Sequence, residues 1–489
     1  MARDSIFFQT SGSNLPRKLW KMDSNGQSLE ALDIEMGTYM SLLGYAGDLF
    51  YFYNYDEVTG GEPWVSDGTN AATRLLKDIN PGSALSRPHF LAELGGKALL
   101  IAYDEMHWRE PWISDGTSDG TFMLKDINPG PNSSRIWDYS VSGERLFFNA
   151  EDGSHGRELW VTDGTTKGTH LVKDINPGEG DGYPYEFFAV ARIMYFGASD
   201  GAHGYELWRT DGTKLGTWMV KDINPGGADS GPHSITPIDS GFLFTATDGV
   251  NGRALWFSDG SELGTVMIKD IVDNQTNGWG RPLHPMVFDN RLFFRADDGI
   301  HGSELWATRG SSGSTSLVAE FVPGTGGSFP KPLGIVNNRM FVKVSDASSD
   351  DALWILNEGS EVFQKIPDVG VRVNLGQRAA YDGIFVFSGR TDEYGDELWI
   401  SDGTPEGTQR VTDIAAGPAS SATIAIFGMI DDYIIFSAND GSARGTCCGH
   451  GRRAGSTVRP LPGRRLNDVL FCTRRKPPLE VAFSELPWG

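Results

Sequence analysis

Aspartate and histidine recur in this chain at fixed intervals, and both residue types can coordinate metals, move protons or bind sugar hydroxyls. One set, Asp67, Asp115, Asp163, Asp211, Asp259 and Asp402, opens an Asp-Gly-Thr or Asp-Gly-Ser segment. Carboxylate, hydroxyl and backbone carbonyl oxygens on a glycine-permissive loop are the ligands calcium prefers. A calcium loop normally places acids at alternate positions, and these loops do not. The same aspartate can instead hydrogen-bond the backbone two residues on and fix a hairpin without any metal. A second set, Asp78, Asp126, Asp174, Asp222 and Asp270, follows the lysine of a Lys-Asp-Ile segment, with Asp413 in a variant. His107, His155, His203 and His301 each stand five residues before a recurring tryptophan. Together these groups either surround a ligand on one face or lie as solvated loop residues one repeat apart. Catalysis needs one asymmetric nucleophile and base, which a symmetric array does not supply. No nucleophile elbow, phosphate loop, metalloprotease helix or nucleotide fingerprint is present.

The elements that must hold these residues are set by tryptophan. It falls at Trp20, Trp64, Trp112, Trp160, Trp208, Trp256, Trp306, Trp354 and Trp399, with intervals of 44, 48, 48, 48, 48, 50, 48 and 45. A fixed period of this length indicates one architecture built from many copies. In the clearest copy, Leu146-Phe147-Phe148-Asn149-Ala150 is a short apolar strand ending in the turn signal Glu151-Asp152-Gly153-Ser154-His155-Gly156. Glu158-Leu159-Trp160-Val161-Thr162 alternates as a strand, and Asp163-Gly164-Thr165 closes it. Thr169 to Lys173 is a third strand, and Asp174-Ile175-Asn176-Pro177-Gly178 suits a type II turn, with Pro presetting φ and Gly supplying the positive φ that follows. Pro184 to Val190 is expected as a fourth, weaker strand of the same copy.

Four short antiparallel strands in about 48 residues match one blade of a propeller. The expected fold is therefore all-β, a β-propeller of eight or nine four-stranded blades over residues 1–441, with the repeat tryptophan packed between blades. Alternate connections of a meander emerge on opposite faces. The Lys-Asp-Ile-Asn-Pro-Gly turns should thus share a face with the Asp-Gly-x-x-Gly loops and histidines, and oppose the Asp-Gly-Thr loops.

Composition narrows the partners. With 64 acidic and 42 basic side chains the formal net charge is -22, a surface that repels nucleic acid and anionic lipid and draws divalent cations. No apolar run approaches the length of a membrane span, and Met1-Ala2-Arg3-Asp4-Ser5-Ile6-Phe7-Phe8 lacks the apolar core of a signal peptide.

Residues 442–489 break the pattern. They carry nine basic and three acidic side chains, and all three cysteines, Cys447, Cys448 and Cys472. Asn439-Asp440-Gly441 leads toward another repeat that Thr446-Cys447-Cys448-Gly449-His450-Gly451-Arg452 does not complete. A frameshift after Gly441 explains this, and an irregular or disordered tail follows from it. A zinc site from Cys447, Cys448, His450 and Cys472 is the other reading, although the spacing matches known zinc ligand sets poorly.

Glu206-Leu207-Trp208-Arg209-Thr210-Asp211-Gly212-Thr213, followed by Gly216-Thr217 and Val220-Lys221-Asp222-Ile223-Asn224-Pro225-Gly226, resembles the repeat of the ELWxxDGT family, some of whose members are described as hyalin-like. The resemblance spans about residues 15–441. It implies an exported or surface-attached protein and assigns the repeat no general enzymatic activity. Several copies depart from the pattern: Arg309 replaces Asp, Asn357 sits in an eroded copy, Ala254 and Ala352 replace Glu, and Pro63 and Pro111 replace Leu. Any ligand ring built on these positions is broken there.

Three functional readings follow. The first is a non-enzymatic, extracellular or surface-associated scaffold for adhesion to a protein or glycan, with the off-phase Trp108, Trp137, Trp218 and Trp279 able to stack on sugars. The second is a calcium-dependent polysaccharide lyase or glycoside hydrolase, for which Asp273 to Arg281 is the one irregular loop. The third is an array that calcium merely stabilises.

Overall fold

Leu146, Phe147 and Phe148 lie on one strand, Arg145–Glu151, and all three are buried. Successive strand residues point to opposite faces, so the sheet that holds them must be covered on both sides. The computed structural model describes residues 5–12, 15–23, 29–34, 40–270, 283–345, 351–366, 372–381, 383–411, 425–430, 433–437 and 470–473. In it Tyr139–Ser142, Arg145–Glu151, Arg157–Thr162 and His170–Lys173 pair antiparallel in chain order, with Phe148 opposite Trp160. Eight such four-stranded sheets follow one another among the described residues. They are flanked by two three-stranded sheets, Ser5–Gly12 with Leu15–Asp23 and Leu29–Ala31, and Ala425–Ile430 with Tyr433–Ser437 and Leu470–Thr473. The one helical turn among the described residues is Ser312–Ser314.

First strands of successive sheets approach each other: Tyr139–Ser142 lies against Tyr185–Val190, which lies against His233–Ile238. The sheets therefore converge on their first strands, as the blades of a β-propeller do. One expectation needs correcting. Tyr185–Val190 is not the last strand of the Trp160 sheet; it pairs with Ile193–Ser199 and opens the Trp208 sheet. The tight turn at Ala191 and Arg192, with Ala191 at φ 54°, makes that local pairing the short connection.

The repeat tryptophan packs between sheets, as the sequence indicates. Trp208 joins a cluster with Phe147, Leu159 and Val161 of the preceding sheet. Lysine completes the contact: Lys173 lies 5.3 Å from the centre of the Trp208 ring and donates to the Thr217 carbonyl at 2.8 Å. Lys125 over Trp160 and Lys269 over Trp306 repeat the first of these contacts.

The Asn-Pro-Gly turns close as expected, with Gly178 at φ 99°. They also sit beside the Asp-Gly-x-x-Gly loop of the next sheet. A methyl group on Gly201 would come within 2.5 Å of Asn176 Oδ1, and one on Gly153 within 2.8 Å of Asn128 Oδ1. This shared side, called the histidine face below, is the one the meander argument assigns. Of the tail, Leu470–Thr473 pairs with Tyr433–Ser437, Cys472 opposite Ile434. Cys447, Cys448, His450, Asp413, Trp279 and the Asp273 to Arg281 loop lie outside the described residues. Among the described residues no helix is long and apolar enough to cross a membrane.

Candidate functional site

The Asp-Gly-Thr carboxylates are taken up by their own turns. Oδ1 of Asp163 accepts the Thr165 amide at 2.9 Å and its hydroxyl at 2.7 Å. Asp67, Asp115, Asp211, Asp259 and Asp402 repeat this pair of bonds. The hydroxyls of Thr117, Thr165, Thr213 and Ser261 hold Asp115, Asp163, Asp211 and Asp259 below the ordinary carboxylate range. This is the hairpin role. No group of three or more His, Cys, Asp or Glu among the described residues is arranged to hold a metal ion.

On the histidine face each loop is organised by the aspartate that opens it. Asp152 Oδ1 accepts the amides of Ser154 and His155, and Oδ2 meets His155 Nδ1 at 2.8 Å. His107, His203 and His301 pair in the same way with Asp104, Asp200 and Asp298. In two further sheets Asn251 Nδ2 and the Thr59 hydroxyl donate to Asp248 and Asp56 from the equivalent position. Histidine, asparagine and threonine can each donate a hydrogen bond, and in all three that bond goes to the loop aspartate. Burial pushes the Asp152 carboxyl up, and the His155 and backbone donors outweigh it and hold it below its usual range. The same bond raises His155, and the equivalent bonds raise His203 and His301.

Beneath these loops lies a group that motif reading passed over, the glutamate of Glu-Leu-Trp. Glu62, Glu110, Glu158, Glu206 and Glu304 are fully buried. Glu158 accepts the amides of Ile175 at 2.8 Å, Asn176 at 3.2 Å and Gly182 at 2.7 Å, tying the Asn-Pro-Gly turn to the chain that starts the next sheet. Glu206 does the same with Ile223, Asn224 and Ser230. Burial pushes Glu62 and Glu206 up to about 7, and Glu110 and Glu158 up to about 8, against the pull of these donors. Asp78, Asp126, Asp222 and Asp174 add to that shift. Their Oδ1 atoms are buried and accept no hydrogen bond from the protein. The structure thus brings Asp174 beside Glu158 and within electrostatic reach of His155, and Asp222 beside Glu206 and His203. Asp270 is exposed.

Where first strands begin, the symmetry of the repeat gives way. His89, Tyr185 and His233 pair with Ile101, Gly197 and Thr245, and the Trp137 amide donates to the Asn149 side chain at 3.0 Å, so the four occupy one position at 48-residue spacing. Rings occupy that position in four successive sheets. Tyr185 lies 5.2 Å from the His233 ring and 5.7 Å from Tyr205. The next residue along differs from sheet to sheet. Asp138 Oδ2 accepts the Glu186 amide at 2.7 Å, and Glu186 Oε2 accepts the Ser234 amide at 3.3 Å. Glu186 and Ser234 have φ of 55° and 57° at a bulge that turns their amides out of the ladder; the preceding sheet supplies the acceptor. Glu186 also meets His233 Nδ1 at 3.2 Å. Burial raises Asp138, and the neighbouring Glu186 adds to it. Burial likewise raises Tyr185, which keeps its hydroxyl protonated.

Of the off-phase tryptophans, Trp108, Trp137 and Trp218 are exposed, Trp137 most at 72%. Trp218 is covered by Arg209 at 4.4 Å. Only periodicity could have found the inner rings, because the residue type changes between copies.

The chain matches no family model and no curated protein. Among solved structures it is similar to a puromycin hydrolase, at 12% identity and TM-score 0.33, over 72% of this chain and 59% of that one. A structure from a study of two prolyl endopeptidases gives 12% and 0.34 over 70% and 50%. An uncharacterized protein from Listeria monocytogenes EGD-e gives 13% and 0.29 over 64% and 90%. The chain thus spans 59% and 50% of the length of the first two.

Proposed function

We propose that the protein is a non-enzymatic, extracellular or surface-associated interaction module that takes a glycan on its histidine face. One observation carries this reading: the rings of His89, Trp137, Tyr185 and His233 recur at one position in four successive sheets. Flat rings beside carboxylates and amides suit a polyhydroxylated chain, whose C–H faces stack and whose hydroxyls find partners. The Asp-Gly-Thr carboxylates and the buried glutamates, by contrast, are engaged in turns and clasps, as at Asp163 and Glu158.

A protein partner is the second reading, and the loop tips favour it. Val58, Met106, Val250 and Ile300 occupy one loop position, with exposures of 79%, 72%, 86% and 66%. The amide of each is pinned by its loop aspartate. Apolar groups held in place this way bind with little ordering cost.

Binding of the full chain to a panel of neutral and acidic polysaccharides tests the glycan reading, and retention of none of them refutes it. Shortening of any of those polymers would instead identify a lyase or hydrolase.

A further inference from the structure

Arg87 and Arg109 stand together in an acidic protein without a counter-charge. The chain carries a formal net charge of -22. Arg135 and Arg157, on the same face, pair with Glu151. Among the described residues neither Arg87 nor Arg109 has an ion-pair or hydrogen-bond partner for its side chain. The backbone sets them side by side. Tyr103 donates its amide to the carbonyl of Ser86, the residue before Arg87, at 2.7 Å. Tyr103 is also the cross-strand partner of Arg109. One residue therefore separates the two guanidinium-bearing chains, and each arginine lowers its neighbour's tendency to hold a proton: burial and then Arg87 lower Arg109, and burial and then Arg109 lower His89. Asp104, the nearest loop carboxylate along the strand, is taken by His107 at 3.0 Å.

Rings frame the pair. Trp108, half exposed and at φ 57°, sits edge-on to Tyr103 at 6.1 Å. His89 Nε2 lies 3.3 Å from the Tyr139 hydroxyl. Arg87 itself is held at φ 44°, a left-handed conformation that a non-glycine residue adopts at a cost. Both arginines are exposed to solvent, and their planar guanidinium forks match carboxylate or sulfate oxygens.

We propose that Arg87 and Arg109, framed by Tyr103, Trp108, His89 and Tyr139, form a subsite for the acidic group of a polysaccharide. This rests on the glycan reading and specifies it: a chain whose sugar faces stack on Trp108 and Tyr103 while a uronate carboxylate or a sulfate ester bridges the arginines. His89 heads the arc of rings that continues through Trp137, Tyr185 and His233, so the subsite anchors one end of that arc.

The test uses the full chain at about 0.15 M salt, where a Debye length of about 8 Å screens the overall negative field but not a direct contact. Polygalacturonate, dextran sulfate, neutral dextran and polyglutamate are compared for wild type, Arg87→Gln, Arg109→Gln and the double variant, whose folding is checked by its melting midpoint. The expected result is retention of an acidic polysaccharide, at least tenfold weaker in the double variant, with dextran bound no better than the variant binds the acidic chain. The polygalacturonate and dextran sulfate arms identify which acid is used. Equal binding of dextran and acidic chains, unchanged by the substitutions, overturns the subsite and leaves the glycan reading standing. Retention of polyglutamate alone overturns the carbohydrate class. If no polymer binds, the melting midpoint is followed against galacturonate and inorganic sulfate. A rise in wild type that the double variant lacks keeps the anion subsite and removes the glycan reading; no rise removes both.

Discussion

Glu158 accepts the Gly182 amide at 2.7 Å, and a methyl group on Gly182 would come within 2.6 Å of the same carboxylate. The bond crosses 24 residues and joins the third strand of one sheet to the start of the next. Removing the carboxylate strands buried amides, each worth about 1–3 kcal/mol when unsatisfied. Glu158→Ala should therefore lower stability by about 3 kcal/mol or more, and Gly182→Ala by a comparable amount through the clash. Urea unfolding checks both, and a loss below about 1 kcal/mol in each would remove the clasp as a determinant of the fold.

Stability should fall as pH rises through neutrality. Glu62 and Glu206 have folded-state values of about 7, and Glu110 and Glu158 of about 8, all above the ordinary value of 4.5. The folded chain thus holds these protons more tightly than the unfolded chain does. Their contribution is greatest below about pH 4.5 and is lost as pH climbs to 8. His155, His203 and His301, raised by their aspartates, act in the same direction above their unfolded value of 6.5. Asp115, Asp163, Asp211 and Asp259 act oppositely, and their contribution is lost only as pH falls below 3.8. Melting midpoints between pH 5 and pH 8.5 should decline, and Glu110→Gln should flatten the slope.

Trp208 fills the contact between two sheets, so Trp208→Ala should cost about 3–5 kcal/mol. Because each sheet of a repeat array contacts only its neighbours, the loss should be largest in the Trp160 and Trp208 sheets. Hydrogen exchange resolved by segment would show that, and uniform loss of protection would contradict it.

His155 is replaceable by a donor and not by a hydrocarbon. Asn251 and Thr59 fill the same position in other sheets. His155→Asn should change stability by less than about 0.5 kcal/mol. Asp152→Ala, which removes the acceptor of three loop bonds, should cost about 1–2 kcal/mol. Thermal unfolding of the two variants separates the cases.

Chelation should leave the melting midpoint unchanged. Each Asp-Gly-Thr carboxylate already accepts an amide and a hydroxyl, as at Asp211 with 2.8 Å and 2.7 Å. Calcorimetric scans with calcium and with chelator check this, and a midpoint raised by calcium would establish a metal in the array.

What was legible in the sequence is what is local. The tryptophan phase, the Asn-Pro-Gly turn and the Asp-Gly-Thr turn depend on residues within a few positions, and periodicity or turn chemistry exposes them. Glu158 was not legible as a clasp because its partners, Ile175, Asn176 and Gly182, lie 17, 18 and 24 residues on and contribute only backbone atoms. Tyr185–Val190 looked like a closing strand because spacing alone does not say which neighbour a strand pairs with. The arc of His89, Trp137, Tyr185 and His233 keeps its interval and changes its residue type, so no motif marks it. Arg87 and Arg109 are far apart in the sequence and meet only through Tyr103, so no local pattern joins them.

The bonds between copies have a consequence for how such a gene can change. Lys173 to Thr217 and Asn176 beside Gly201 each join one copy to the next. Recombination between two copies in register deletes or duplicates a whole unit and rejoins each lysine to an equivalent threonine, each asparagine to an equivalent glycine. Length can therefore drift by whole units without any junction needing repair, while the inner rings and arginines, which differ from copy to copy, are lost or doubled with the unit that carries them.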